Sequence, residues 1–387
     1  PVYDLRCGIL SIGEKVKLHF SKAKIILHVR SYLSRLLELQ NPDTDVNKYD
    51  YEKIIFINGR LLIDDEIKKQ IIKHKDDFIF VTNGTVAAAK LSGINITKIK
   101  FDEYNTLNLD GVDIPRYTVD SLLINYPWEM VNNNGKQIIN DYELLSLKNK
   151  TKIKFKNVEF INKRRIYIGK NTKIDPFAVL DASNGPIYIA NNVHIMAHTY
   201  IQGPVSIGDN SIIKAHSTIY NNTSIGQVCK VGGEVEGSII HSYSNKQHEG
   251  FLGHSYLGSW VNIGASTNNS DLKNNYSPVD VFVNGQKVQS NSLFVGLIMG
   301  DHSKTAINTM FNTGTVVGVS CNIFGADFPP KYIPSFSWGG SSSISSYNMD
   351  KAIETAIIVK KRRGFELTAI EIELLKEIYK FTEIERK

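Results

Sequence analysis

Three places in this chain set histidines beside partners that could do chemistry. The densest is Ser244–Thr267, SNKQHEGFLGHSYLGSWVNIGAST, which gathers His248, His254, Lys246 and Asn262 among glycines. A histidine on a loop leaving a rigid scaffold suits general-base work, because its ring changes charge near neutral pH. The second is MGDHSKT, Met299–Thr305, with His302 between Asp301 and Lys304's segment. The third is the pair His198 and His216, eighteen residues apart. Two turns add ligand candidates, Asn58-Gly59-Arg60 and Asn83-Gly84-Thr85, each following a short apolar run. Ligands of open α/β sheets lie at the carboxyl ends of strands; an ordinary tight turn is the equally weighted alternative.

What would position these residues is a repeat. Ile189, Ile195, Ile201, Ile207, Ile213, Ile219, Ile225 and Val231 recur every six residues. Val193, Thr199, Ser211, Ser217 and Thr223 follow four residues after an aliphatic one. Neither a helix nor an alternating strand has this period, and a parallel β-helix does. Each hexad is one short strand and a corner, so residues eighteen apart stack. Corners need left-handed backbone, which Asn, Asp and Gly tolerate, and Asn191-Asn192, Gly208-Asp209-Asn210 and Asn221-Asn222 fall there. His198 and His216 should therefore stack at a corner, either to bind an anion or metal or simply as solvated corner residues. Met299, Thr305, Phe311, Val317 and Ile323 resume the register, and Ile168, Ile174 and Leu180 begin it. A prism over about 153–338 follows, interrupted at Ile239–Tyr256 and at Ser266–Leu293. Insertions in repeat scaffolds often form the binding face.

Residues 1–150 lack the period. Leu5–Ile12, Lys24–Val29, Lys53–Asn58 and Asp76–Asn83 read as buried strands and Ser31–Gln40 as a helix. That alternation predicts an α/β domain with a largely parallel sheet. A helical stretch, Glu129–Leu147, would link it to the prism. After the prism, residues 341–387 read as a Ser-rich hinge and two helices. Gly364 stops the first, and Thr368 to Glu371 is a capping box for the second. The expected domains are thus 1–150, 151–340 and 341–387.

Composition narrows the classes. The chain has 387 residues, 42% hydrophobic and 22% charged, with a net charge of +6 spread along its length. Scattered cations argue against nucleic acid. Three separated cysteines fit a reducing, cytoplasmic setting and neither a disulfide framework nor a zinc site. No apolar run reaches membrane-span length, and no signal peptide is visible. The first residue is Pro1 rather than Met, so an N-terminal piece is expected to be missing.

The segment KVGGEVEGSII…SNKQHEGFLGHSYLGSWVNIGAST resembles the left-handed β-helix domain of the bifunctional N-acetylglucosamine-1-phosphate uridyltransferase/glucosamine-1-phosphate acetyltransferase family. Aligned through VNIGAST, the family's catalytic base falls on His248 and its sugar-contacting asparagine on Asn262. Two departures stand out. Gly237 and Ser238 occupy the place of a substrate-binding lysine, and Phe251 that of a substrate-contacting tyrosine. PVYDLRCGILSI, FINGRLL, YPWEMV, LKNNY, GDHSKTAINTMFNTGTVVG and PPKYIPSFSWGG are similar to a group of sugar nucleotidyltransferases that join a divergent nucleotidyltransferase domain to a β-helix.

The resemblance implies a transferase in sugar-nucleotide biosynthesis, acting on an NTP and a sugar 1-phosphate or on a nucleotide sugar. Mg²⁺ would serve nucleotidyl transfer, with Asp110 or Asp113 as the carboxylates to inspect. Acetyl-CoA or another acyl-CoA would serve acyl transfer. It also implies a homotrimer. Arg6, Asn58, Gly59, Arg60 and Asn83 are the expected nucleotide-side residues. His248 is the expected base, with Asn262, Lys246 and Lys273 binding substrate. The alternative is a binding or scaffold protein without turnover.

Overall fold

The aliphatic residues of the central hexads, Ile189 to Val231, are all buried, in one continuous core. Their stacking follows the eighteen-residue spacing: Ile189 pairs with Ile207 and Ile207 with Ile225, Ile195 with Ile213, and Ile201 with Ile219, every ladder parallel. The ladders form three faces, of nine strands, of six, and of five continuing into four. This is the left-handed hexapeptide-type β-helix. The small residues Thr199, Ser211, Ser217 and Thr223 are buried beside the corners, and Asn192, Asn210 and Asn222 take positive φ. The computed structural model describes residues 1–147 and 155–386. The expected boundary at 150/151 and the expected prism start at 153 lie outside the described residues.

The chain divides into two compact units. The first is Pro1–Leu5, Leu10–Asn125 and Thr368–Glu377; the second is Arg6–Ile9, Tyr126–Leu367 and Ile378–Lys387.

In the second unit, Ile239–Tyr256 does not interrupt the coils. Ile225 pairs with Ile240 and Val231 with Lys246, fifteen residues on. Val235 then pairs with Leu252 and Ile240 with Leu257, seventeen residues on. Corners lose residues while strands keep register, because the coil is held by its stacked inward side chains and parallel ladders. The segment from Ser270 is a true insertion. Leu257 finds its next partner at Met299, and between them lies an antiparallel hairpin, Asp280–Val283 with Gln286–Gln289. Val279, Val281 and Val295 give it a small core with Trp128.

Helix Pro127–Leu144 starts on Pro at its first turn, where the missing N–H has no role. It packs against the coils through Asn134. That side chain accepts from Gly8 N at 2.7 Å and Ser224 Oγ at 3.0 Å, and donates to Asn222 O at 2.8 Å. Gly135 follows because a Cβ there would fall on the Asn222 side chain. Leu5–Ile12 is not the expected strand. Gly8 N and Ile9 N are taken by Asn134 and by Asp141 of this helix, and Ser224 Oγ donates to Gly8 O at 2.8 Å.

The first unit's sheet is mostly antiparallel, against the expected parallel one. Thr85–Ser92 lies between Lys53–Ile57 and Phe78–Thr82, antiparallel to both, and only Arg116–Thr118 is added in parallel. Asn83 and Gly84, with φ of 47° and 75°, make a two-residue hairpin turn. Lys24–Val29 contributes only Ile26–Leu27, paired with Asp45–Val46. Ser31–Gln40 is the expected helix.

Helices Met349–Lys361 and Ala369–Phe381 close the chain. Gly364 has φ of 78°, and Thr368 and Glu371 exchange the bonds of a capping box. Leu375 is the buried residue of the last helix.

Candidate active site

His248 lies in a bend between strands Asn245–Lys246 and Phe251–Gly253, exposed to solvent. It therefore sits at a coil corner between two paired strands rather than on the expected excursion. Among the described residues none hydrogen-bonds to its ring; its carbonyl accepts from Lys246. Asn262 bridges the strands of Asn245 and Lys304. Asn245 Nδ2 donates to Asn262 Oδ1 at 3.2 Å, and Arg363 Nη2 donates to Asn245 Oδ1 at 2.6 Å. The amide expected to touch a substrate thus belongs to a polar ladder on one face.

Lys246 does not offer its ammonium to a ligand. It takes the inward slot after Ile213 and Val231, is 2% exposed, and donates to Gly232 O at 2.9 Å and His248 O at 2.8 Å. Burial pushes its pKa from 10.5 down to about 8. The fold thus favours the neutral amine. This group's contribution to stability is complete above pH 10.5 and is lost as pH falls through about 8. A Lys246→Met chain lacks this titration. Between pH 10.5 and pH 7, its unfolding free energy should gain on the parent's by an amount on the order of 3 kcal/mol. Urea unfolding of both chains across that range measures the gain, and a pH-independent difference would refute it.

Lys273 is likewise occupied, donating to Pro278 O at 2.6 Å within the insertion. Arg6 belongs to the second unit and its Nη1 donates to Ile9 O, whereas Asn58, Gly59, Arg60 and Asn83 belong to the first. Asn58 Nδ2 donates to Val86 O and its Oδ1 accepts from Arg60 N, and Arg60 Nη1 donates to Asn125 Oδ1. Gly59 lies against the Tyr3 ring. Asn83 is the exposed tip of the hairpin. Asp110 and Asp113 are exposed. Among the described residues, no three His, Cys, Asp or Glu side chains come together to hold a metal. Asp110 and Asp113 thus belong to no three-ligand cluster among the described residues.

His198 and His216 stack as expected, with centroids 5.0 Å apart and planes 4° from parallel, and Phe177 extends the column. His302 stacks on Trp260, which stacks on Tyr243. Burial pushes its pKa down to about 3, so it stays neutral at physiological pH and serves its corner.

The group with the geometry of a proton-transfer pair is one that sequence reasoning left unassigned. His254 Nδ1 lies 2.8 Å from Asp271 Oδ2. His254 is the corner residue after strand Phe251–Gly253, with φ of 43°. Asp271 is the partner that sequence reading missed. It is seventeen residues away, the local coil length, and that spacing was the available signal.

These features define a class: an α/β domain followed by a hexapeptide-repeat β-helix with histidines at its corners. Residues 1–150 match the sugar nucleotidyl transferase family, and residues 186–221 match the bacterial transferase hexapeptide (six repeats) family. The family resemblance read from the motifs is thereby borne out. Similar curated proteins include the bifunctional protein GlmU of Methanocaldococcus jannaschii, 31% identical over 33% of this chain and 26% of that protein. GlmU of Methanococcus vannielii is 36% identical over 24% and 22%. A bifunctional sugar-1-phosphate nucleotidylyltransferase/acetyltransferase of Sulfurisphaera tokodaii is 32% identical over 24% and 23%. The chain spans about a quarter of the length of these relatives. Among the described residues no helix is long and apolar enough to cross a membrane.

Proposed function

We propose that this chain is a transferase of nucleotide-sugar biosynthesis, with nucleotidyl transfer on residues 1–150 and acyl transfer on the β-helix. The observation that carries the reading is the union in one chain of a segment matching sugar nucleotidyl transferases and a hexapeptide β-helix. In the first reaction a sugar 1-phosphate attacks the α-phosphorus of an NTP and pyrophosphate leaves. Asn58, Gly59, Arg60 and Asn83 are the residues to test there. In the second, an amine or hydroxyl of a sugar attacks the carbonyl carbon of an acyl-CoA thioester. His248 removes the nucleophile's proton and the thiol leaves protonated; Asn262 orients the acceptor. The support for His248 is its alignment through VNIGAST and its solvent exposure. A homotrimer is the proposed assembly, since a three-fold ring closes heterologous interfaces, and the proposed setting is the cytoplasm, which suits three cysteines spread far apart along the sequence.

Purified protein given NTP, sugar 1-phosphate and Mg²⁺ should release pyrophosphate. Given acetyl-CoA and an amino sugar, it should release free thiol. Neither product with any donor would leave a binding or scaffold protein, and light scattering on the same sample tests the trimer.

A further inference from the structure

A cavity of 260 Å³ opens beside His254. Three segments far apart in sequence wall it. The coil corner supplies Asn222, Gly237 and His254, helix Pro127–Leu144 supplies Asn132, and the returning limb of the insertion supplies Ser292 and Phe294. It is below the ~300–1,000 Å³ of pockets for drug-sized ligands, a space for one ring.

The His254 ring is fixed on three sides. Phe294 stacks on it with centroids 4.8 Å apart. Gly237 lies on another side, where a Cβ would come within 3.0 Å of Nε2. A side chain there would press on the ring, which would have to yield by a few tenths of an ångström. Asp271 holds Nδ1, and its carbonyl accepts from Val295 N at 2.9 Å, tying the outgoing limb of the insertion to the returning one. With Nδ1–H donating to a carboxylate, Nε2 carries the lone pair. That is the tautomer a base needs, and among the described residues Nε2 has no hydrogen-bond partner.

The lining selects the ligand. It contains no Lys or Arg, and no carboxylate, so it is not built for phosphate. The exposed Phe294 ring offers an apolar face. Asn132, whose Nδ2 donates to Ser292 Oγ at 2.9 Å, keeps its carbonyl oxygen as an acceptor, and Ser292 and Asn222 add further polar groups. An apolar face ringed by hydroxyl and amide partners fits a carbohydrate ring.

We propose that His254, oriented by Asp271, is an acid–base centre whose cavity seats one neutral sugar ring, with Nε2 exchanging a proton with a hydroxyl or amino group of that ring. On binding, Nε2 accepts a hydrogen bond from the ring hydroxyl or amine. The proton crosses to Nε2 only as that oxygen or nitrogen bonds to the carbonyl carbon of an acyl-CoA thioester, and it passes on to the departing thiolate, with the Asp271 carboxylate balancing the imidazolium in between. The choice of a sugar rests on the function proposed above; the dyad and cavity do not.

The test uses the full chain. Saturation-transfer NMR with N-acetylglucosamine and with glucose should show binding that weakens by about tenfold in Phe294→Ala, as loss of a ring-stacking contact does, and is unchanged in His216→Asn. With ¹⁵N-histidine labelling, the resonance missing from His254→Gln should report Nδ1–H and a bare Nε2, and should move when sugar is added. Asp271→Asn should shift that tautomer balance, an effect mere loss of packing would not give. Equal binding by parent and Phe294→Ala, no binding by the parent, or an Nε2–H tautomer would each overturn the proposal. Sugar bound at His254 without any transferase turnover would overturn the proposed function instead, and turnover with unaltered pH dependence in His254→Gln would overturn only this site.

Discussion

An Ile207→Asp chain should fail to form its coils. Ile207 is fully buried and stacked between Ile189 and Ile225, inside a prism closed by three sheets. A carboxylate there has neither water nor a partner, and an unpaired buried charge costs several kcal/mol even after relaxation. Whole domains are stable by only about 5–15 kcal/mol, so the cost is a large share of the total. Lys246 shows why the substitution differs from the interior charge already present. Its long stem carries the ammonium out to Gly232 O and His248 O at a corner, a reach that aspartate lacks. Circular dichroism and size exclusion would report the loss. A soluble variant melting with the parent would mean that Ile207 does not face the core.

Once acyl transfer is detected, His248→Ala should slow it by about 10²–10⁴-fold, the usual contribution of a positioned general base. Its melting temperature should stay near the parent's, because the side chain is exposed and its ring bonds to no described residue. His302→Ala is the comparison: it removes a ring stacked on Trp260 and should act on stability before rate. Steady-state kinetics with thiol release reads both. A parental rate in His248→Ala would break the alignment through VNIGAST and move attention to His254, whose orienting carboxylate His248 lacks.

The β-helix was legible because eight successive hexads each place an aliphatic residue in its narrow interior, and eight in one register cannot be mistaken for helix or alternating strand. Legibility ended where corners shortened. Between Ile239 and Leu257 the strands persist, yet an inward lysine and coils of fifteen and seventeen residues hide the period. In the first unit, Thr85–Ser92 escaped notice because Ala87, Ala88 and Ala89 are buried by their surroundings and carry little intrinsic strand preference. Leu5–Ile12 reads as a strand by composition; its backbone partners, Asn134 and Asp141, lie more than a hundred residues away. The candidate site was half visible. His254 stood out among glycines, but Asp271 sits on a polar insertion and becomes its neighbour only through the winding of the chain.

The bonds around Asn134 also set a timetable. Gly8 is held by Asn134 and by Ser224, so its docking waits until residue 224 has been synthesised. At about 5–20 residues per second, that delay is roughly 10–40 s. During it the Arg6–Ile9 segment has no finished surface to settle on. The amino-terminal residues of the β-helix unit are therefore locked only after its first coils are made, and a chaperone acting on the nascent chain before then would meet them undocked.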